Sequence, residues 1–179
     1  MDTTNLQYDR VIDSCKDIFL KKTKDYGTAW RVMRIISVTD QIFIKALRIR
    51  TIQEKKTQLV NEDIYSEFKG MINYCAIGLM QLKLNNTQIE DMPVVEVEKL
   101  YDDAILFTKN TMLNKNHDYG EAWRSMSEES MVDLILMKIQ RIKQILLNDG
   151  KTIISEGIDA NYVDILNYSA FALILSGKY

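Results

Sequence analysis

The apolar residues of this chain recur with the spacing of an α-helix. Between Val11 and Phe19 they fall at positions i, i+1, i+4, i+7 and i+8, which is one face of a helix with 3.6 residues per turn. The sequence does not show the alternation of apolar and polar residues that predicts half-buried strands. With seven glycines and one proline among 179 residues, it also has few residues that interrupt helices. The pattern predicts an all-α protein built from long helices.

The chain contains an internal repeat. The segment DYGTAWR at Asp25–Arg31 recurs 93 positions later as DYGEAWR at Asp118–Arg124. At this offset, 13 of the 26 positions from Asp25 to Arg50 are identical, and after one inserted residue the match continues at an offset of 94. The sequence therefore predicts two copies of one unit, residues 1–86 and 93–179.

Each copy is predicted to form three helices. The glycine of the DYGxAWR turn supplies the left-handed backbone that often ends a helix. A unit of about 90 residues buries only a thin core, so we expect the two units to pack together as one globular helical bundle with pseudo-twofold symmetry. The predicted helices are one that ends at Asp25, Thr39–Lys56 with Thr39 and Asp40 as N-cap, Asn61–Leu84, Pro93–Asn116, Ser130–Asn148 and Ser155–Ser176.

Charge and composition restrict the partners. The 23 Lys and Arg against 25 Asp and Glu give a net charge of −2, so nucleic acid is a possible partner but not a favoured one, and a membrane surface is not expected. No apolar stretch is long enough to span a bilayer, and no leader pattern is present, so we expect a cytoplasmic protein. Cys15 and Cys75 lie in apolar helical contexts and are predicted to be free, buried thiols.

Cations kept in both copies form the first candidate site. Those on the second helices are i, i+3 neighbours and share a face with each other. Near the arginine of the turn they could hold a phosphate, because Arg offers two parallel donors and Lys a point charge. The alternative is a solvated face paired with carboxylates. The preceding Trp123, like Trp30, could stack on a nucleobase or anchor the turn. The cations are Arg31, Lys45, Arg48, Arg124, Lys138 and Arg141.

The last helix provides the second candidate site. Carboxylates on successive turns suit Mg²⁺, which takes oxygen ligands and bridges to substrate phosphates. Asp133, Glu156 and Asp164 are the predicted metal ligands and catalytic carboxylates, with Asp118 as an alternative to Asp133. The alternative is that the polar stripe makes hydrogen bonds between the two halves. The stripe comprises Glu156, Ala160, Asp164 and Asn167, with Asn161 and Tyr168 beside it. Of these residues we predict that Asn161, Asn167 and Tyr168 also face a ligand.

The two copies differ in charge. Residues 21–56 hold ten Lys or Arg and three Asp or Glu, an excess of +7, whereas the corresponding stretch of the second copy holds five and six. At the position of Asp164 the first copy has Gly70. We therefore expect a basic first half that attracts anions and a second half that keeps the carboxylates, although a degenerating copy would show the same pattern.

These motifs together resemble the nucleotide modification associated domain 1 family, seen in Bacteroidetes-type bacteria and phages. The resemblance rests on the repeated DYGxAWR turn, the SxxD and KxxR that follow it, and the closing SEGIDANYVDILNYSAFALI, and it covers nearly the whole chain. It implies a role in nucleotide or nucleic-acid modification.

The last helix is also similar to the MazG-like all-α nucleoside triphosphate pyrophosphatases, which are helical dimers that hold Mg²⁺ with carboxylates. This similarity implies Glu156 and Asp164 as metal ligands and Lys138 and Arg141 as phosphate ligands. The chain departs from the MazG-like pattern because it has no EExxE motif, and its second helix offers only Asp133.

Three functions are consistent with the sequence. The favoured one is an Mg²⁺-dependent enzyme that hydrolyses a nucleotide phosphate, in which cations stabilise charge on the phosphate. The second is a non-catalytic nucleotide-binding or regulatory module. The third is a helical scaffold for a protein partner. The expected ligand is a nucleotide or a nucleotide-derived small molecule, and the protein could form a homo-oligomer.

Overall fold

The computed structural model describes residues 2–85 and 91–179, and within these ranges the protein is all-α, without strands, as predicted. Of the predicted linker between the copies, residues 86–90 lie outside the described residues. The helices are α1 (Asp2–Tyr26), α2 (Ile35–Lys55), α3 (Ile64–Leu84), α4 (Val94–Tyr119), α5 (Glu128–Leu147) and α6 (Ile158–Ser176).

The helices follow the sequence repeat. We call α1–α3 the first half and α4–α6 the second half. The first residues of α2 and α5, Ile35 and Glu128, are 93 positions apart, whereas those of α3 and α6, Ile64 and Ile158, are 94 apart. The inserted residue therefore lies in the connection between the second and third helices. The predicted pair of tandem three-helix repeats is confirmed.

The beginning of α2 differs from the prediction. The helix begins at Ile35, directly after Arg34, whose backbone is extended, and not at Thr39. The Thr39 hydroxyl donates to the carbonyl of Ile35 at 2.8 Å, which is how a threonine inside a helix satisfies its side chain. The predicted Thr-Asp N-cap is therefore wrong.

The second half shows two further shifts. Helix α5 begins at Glu128 and not at Ser130, and the hydroxyl of its N-cap Ser127 accepts a hydrogen bond from the Ser130 N–H at 3.1 Å. The last helix begins at Ile158 and not at Ser155. These differences leave the helix order and the faces unchanged.

The centre of the bundle is the contact between α3 and α6. Glycine at position 78 allows the two helices to approach closely, because a Cβ there would lie 2.6 Å from Cε2 of Tyr162. The Tyr162 ring is fully buried, and its hydroxyl lies 2.8 Å from the hydroxyl oxygen of Thr39. The core is therefore shared between the two halves.

Buried hydrogen bonds cross between the halves in a reciprocal pair. The Tyr8 hydroxyl donates to Oδ1 of Asn167 at 2.9 Å, and the Tyr101 hydroxyl donates to Oδ1 of Asn73 at 2.8 Å. Tyr8 and Tyr101 occupy equivalent positions, as do Asn73 and Asn167. Reciprocal contacts of this kind define a twofold interface between like units. The chain thus has the interface of a homodimer within one polypeptide.

Ion pairs repeat the same arrangement at the surface. Each exposed pair contributes little stability, about 0–1 kcal/mol. Their reciprocity nevertheless explains why several charged residues are identical in both copies: each one faces a residue of the other half. The pairs are Lys16–Asp102 at 2.8 Å and Lys109–Asp9 at 2.6 Å between α1 and α4, and Arg50–Asp133 at 3.5 Å and Lys143–Asp40 at 2.8 Å between α2 and α5.

The two cysteines are buried and free, as predicted. Burial raises the pKa of the Cys15 thiol to about 12 and raises that of Cys75 well above its ordinary value. Among the helices that the structure describes, none combines the length and the apolar content required to cross a bilayer.

Candidate functional site

The repeated DYGxAWR turn ends the first helix of each half. Gly27 and Gly120 have φ values of +62° and +59°, which lie in the left-handed region that favours glycine. A short 3-10 helix follows and carries the Trp-Arg pair. In the first half Arg31 is buried and donates to the side-chain oxygen of Gln81 on α3, and the Gln81 amide donates to the carbonyl of Met33 at 2.8 Å. Arg31, a predicted ligand residue, therefore fastens the turn to α3.

A pocket of about 880 Å³ opens beside this turn in the first half, between α1, α2 and α3. Trp30 lines this pocket, and its indole N–H, like that of Trp123 in the second half, is buried and has no acceptor among the described residues. Lys22 is exposed and makes no hydrogen bond or ion pair with any residue that the structure describes. The pocket thus combines lysines with aromatic rings. Its lining includes Lys22, Tyr26, Trp30, Lys45, Glu67, Lys69 and Tyr74.

A buried carboxylate lies in the wall of this pocket. Glu67 is 8% exposed and accepts hydrogen bonds from Lys45 at 2.9 Å and from Arg48 at 2.6 Å. Burial opposes ionisation, but the hydrogen bonds from Lys45 and Arg48 outweigh it and lower the pKa of Glu67. The two cations share a face, as predicted, and both are paired with a carboxylate, which is the alternative that the sequence left open.

The second half has a corresponding cluster with a different acid. Asp164 is 6% exposed and accepts from Lys115 and Lys138, each at 2.6 Å. Lys138 is itself buried, with 7% of its surface exposed. Burial disfavours the charged form of Lys115, but the bond to Asp164 outweighs this effect and raises the pKa of Lys115. Asp164 therefore serves as the counter-ion of two lysines.

When the two copies are aligned, the positions of Glu67 and Asp164 on the third helix differ by one helical turn. Asp164 is equivalent to Gly70, and Glu67 is equivalent to Asn161. A Cβ at Gly70 would lie 2.8 Å from Cε of Lys45, so the lysine side chain fills the space that an acid would need there. In each half a carboxylate of the third helix pairs with the equivalent lysine, Lys45 or Lys138, but the carboxylate comes from a different turn of that helix.

The turn of the second half is packed where that of the first half is open. Trp123 is 5% exposed and stacks on Phe171 with ring centroids 4.2 Å apart, where the first half has the smaller Ile77. The Arg124 guanidinium lies 4.3 Å from the centre of the Trp123 ring and donates to Gln7 of α1 at 2.8 Å. Trp123 therefore anchors the turn, and Arg124 joins the two halves.

The structure does not bring the three predicted metal ligands together. The Asp133 side chain is 66% exposed and faces Arg50 across the interface between the halves. Glu156 is exposed in the connection before α6, and Asp164 is enclosed by its lysines. Within the described part of the chain, no three His, Cys, Asp or Glu side chains are placed to hold one metal ion.

The remaining predicted ligand residues lie on α5 and α6. Asn167 makes the buried contact with Tyr8. Burial and the Asp164 carboxylate raise the pKa of the half-buried Tyr168. Arg141 is exposed and Asn161 is buried, and both line one pocket of the second half.

Sequence reasoning missed two lysines. Lys22 and Lys115 are identical in both copies at the 93-residue offset, one helical turn before the DYG motif. Lys22 borders the first-half pocket, and Lys115 binds Asp164. Extending the comparison of the copies toward the N-terminus of the turn would have revealed them.

A comparison with known families places these features in context. The family model for nucleotide modification associated domain 1 matches the chain twice, at residues 22–82 and 115–175. The chain belongs to this family. Each matched segment begins at the end of the first helix of its half and includes the DYGxAWR turn, so nucleotide modification associated domain 1 is present in two copies. This membership associates the protein with nucleotide metabolism. No curated protein and no solved structure matches the chain significantly.

Proposed function

We propose that this protein binds a nucleotide in the pocket of its first half. Membership of the nucleotide modification associated domain 1 family supports the ligand class. The pocket volume of about 880 Å³ is that of a small-molecule site, for which about 300–1,000 Å³ is usual. Aromatic rings next to lysines suit a ligand with a planar base and a phosphate.

The observation that carries this proposal is the meeting of unused polar groups in one pocket. The Trp30 indole N–H is a buried donor without an acceptor in the described residues, and such a group costs about 1–3 kcal/mol. A carbonyl oxygen of a base, or a phosphate oxygen, would accept from it. Lys22, which has no partner among the described residues, lines the same pocket; Lys45, which is paired with Glu67, lies 5.9 Å from the ring centre of Tyr74. In this arrangement Lys22 would bind the phosphate, and the aromatic rings would pack against the base.

Calorimetric titration with nucleoside mono- and triphosphates, without added divalent metal, tests the proposal. Lys22→Met is expected to weaken binding about tenfold, since a hydrogen bond to a charged group contributes about 1.5–3 kcal/mol. Lys21→Met is the matched control, because Lys21 is the neighbouring exposed lysine and already pairs with Asp17 at 2.7 Å. Equal affinities for the two variants would contradict the assignment of the pocket.

Mg²⁺-dependent hydrolysis of the bound nucleotide is the second candidate. Glu62 and Asp63 line the same pocket as the lysines, and Mg²⁺ is usually bound by one or two carboxylates together with substrate phosphates. These two residues would hold the ion, which would supply charge neutralisation for the phosphate oxygens. Within the described residues, Asp133, Glu156 and Asp164 are not placed to hold one ion, because Asp133 pairs with Arg50 and Asp164 is enclosed by two lysines.

Release of phosphate or pyrophosphate, measured with Mg²⁺ and with EDTA, distinguishes the candidates. If hydrolysis takes place in the first-half pocket, the Glu62→Gln variant should be inactive. The Glu54→Gln variant, at the exposed end of α2, should remain active. A second-half site predicts instead that Glu156→Gln is inactive and Asp159→Asn is active. Binding without release would identify a non-catalytic module. Melting temperatures that no nucleotide changes would favour the protein-binding scaffold.

A further inference from the structure

The connection between the second and third helices is built differently in the two halves. In the first half Arg48 donates to Glu67 at 2.6 Å and to the carbonyl of Glu62 at 2.8 Å. The arginine therefore holds this connection against α2. The equivalent residues of the second half are Arg141 and Asn161.

In the second half this closure is missing. Asn161 is neutral, and Arg141 is exposed and makes no hydrogen bond or ion pair with any described residue. A pocket of about 750 Å³ is open between α5, residues 148–157 and the start of α6, and both side chains line it.

Asn161 leaves a buried acceptor at this pocket. The residue is only 2% exposed, and its Nδ2 donates to the carbonyl of Gly157 at 2.7 Å. This bond fixes the orientation of the amide, so Oδ1 is the atom that remains buried without a donor among the described residues. Buried acceptors of this kind nearly always have a partner. A ligand N–H or O–H would provide one.

The rest of the lining suits an anion with an apolar or planar body. Arg141 and Lys151 outnumber the single acid, Glu156, so the pocket carries an excess of positive charge. Ile153 and Ile154, which are 97% and 96% exposed, supply apolar surface at its edge.

We propose that this pocket is a second ligand site and that it takes a nucleoside monophosphate. Arg141 binds the phosphate, Asn161 Oδ1 accepts from an N–H or O–H of the nucleoside, and the isoleucines cover the base. The choice of a nucleotide among phosphorylated molecules rests on the proposed function of the protein. The site is distinct from the first-half pocket, and its first-half counterpart is closed by Arg48 and Glu67.

Calorimetric titration of the full chain with AMP, GMP, CMP, UMP and inorganic phosphate tests this site. Wild-type protein is expected to bind two equivalents of the preferred monophosphate. Arg141→Met is expected to weaken one of the two sites at least about tenfold, while Arg50→Met, an exposed arginine of α2, leaves both intact. Asn161→Glu restores the pair found in the first half, so it is expected to close the pocket and abolish the second equivalent without lowering the melting temperature.

The outcomes separate the two proposals. A single equivalent that Lys22→Met removes and Arg141→Met leaves unchanged overturns the second site alone. A single equivalent with the opposite behaviour overturns the first-half pocket alone. Inorganic phosphate binding at Arg141 as tightly as any nucleotide refutes the ligand class. No binding below about 1 mM overturns both.

Discussion

Replacing Asp164 with alanine is expected to destabilise the second half strongly. The carboxylate is buried between Lys115 and Lys138, with both N–O distances at 2.6 Å. Removing one partner of a buried ion pair costs about 3–5 kcal/mol, because the other charge stays buried without compensation. The Lys115 side chain is 47% exposed and can turn to water, whereas Lys138 is 9% exposed and cannot. Only Lys138 would therefore stay buried without a counter-ion. We expect a loss of unfolding free energy at the lower end of this range, about 3 kcal/mol.

Urea unfolding at pH 7 measures this cost, and a thermal melt should show a decrease of about 6–12 °C for a chain of this size. Asp133→Ala is the control, because that side chain is exposed and its removal should cost under about 1 kcal/mol. Combining Asp164→Leu with Lys138→Met should restore most of the stability, since apolar residues replace a buried pair at little cost. An Asp164→Ala variant within about 1 kcal/mol of wild type would refute this reasoning.

Three further predictions concern the first half and the core. The pKa of Glu67 is lowered in the folded protein, so its stabilising contribution is present above its ordinary pKa of 4.5 and is lost as the pH falls. The difference in urea stability between wild type and Glu67→Gln should therefore shrink from pH 7 to pH 3. A difference that stays constant over this range would contradict the prediction. Gly78→Ala should cost about 1–3 kcal/mol in a thermal or urea melt despite the better helix propensity of alanine, because the new methyl meets Tyr162; recovery in a Tyr162→Leu background is the check, and an unchanged melt would contradict the close approach. Because burial raises the thiol pKa values of Cys15 and Cys75, both should resist a disulfide reagent in the native protein and react only after unfolding, and rapid native labelling would be the contrary result.

The sequence was sufficient for the architecture because the repeat and the helical periodicity point to the same answer. Identical residues at a fixed offset had to occupy equivalent places, and apolar spacing placed the helices. The residues at which the helices begin were harder to predict from the sequence. Whether Thr39 caps a helix or lies inside one depends on where its hydroxyl finds an acceptor, and that acceptor is the carbonyl of Ile35.

The candidate site could be predicted from the sequence only in part, and the reason is physical. Identity between two fused copies marks residues that matter to both, but it does not separate a ligand site from an interface. Asp133 has an identical counterpart in the first copy because each pairs with a cation of the other half. The sequence also did not reveal the carboxylate that pairs with each repeated lysine, since Glu67 and Asp164 do not align. Only the packing shows that both neutralise the equivalent lysine of their half.

The contact between Gly78 and Tyr162 has a consequence for the history of the chain. The equivalent residues are Ala172 and Phe68, so the two residues of this central contact, unlike those of the buried Tyr–Asn pairs, are not identical in the two copies. Two second halves paired together would press Ala172 against a tyrosine ring, and two first halves would lack the hydroxyl that meets Thr39. Pairing of either half with a second copy of itself would therefore change this contact. Because both copies are fused in one polypeptide, the two sides of this interface can differ, and a substitution in one half does not impose the same change on the other.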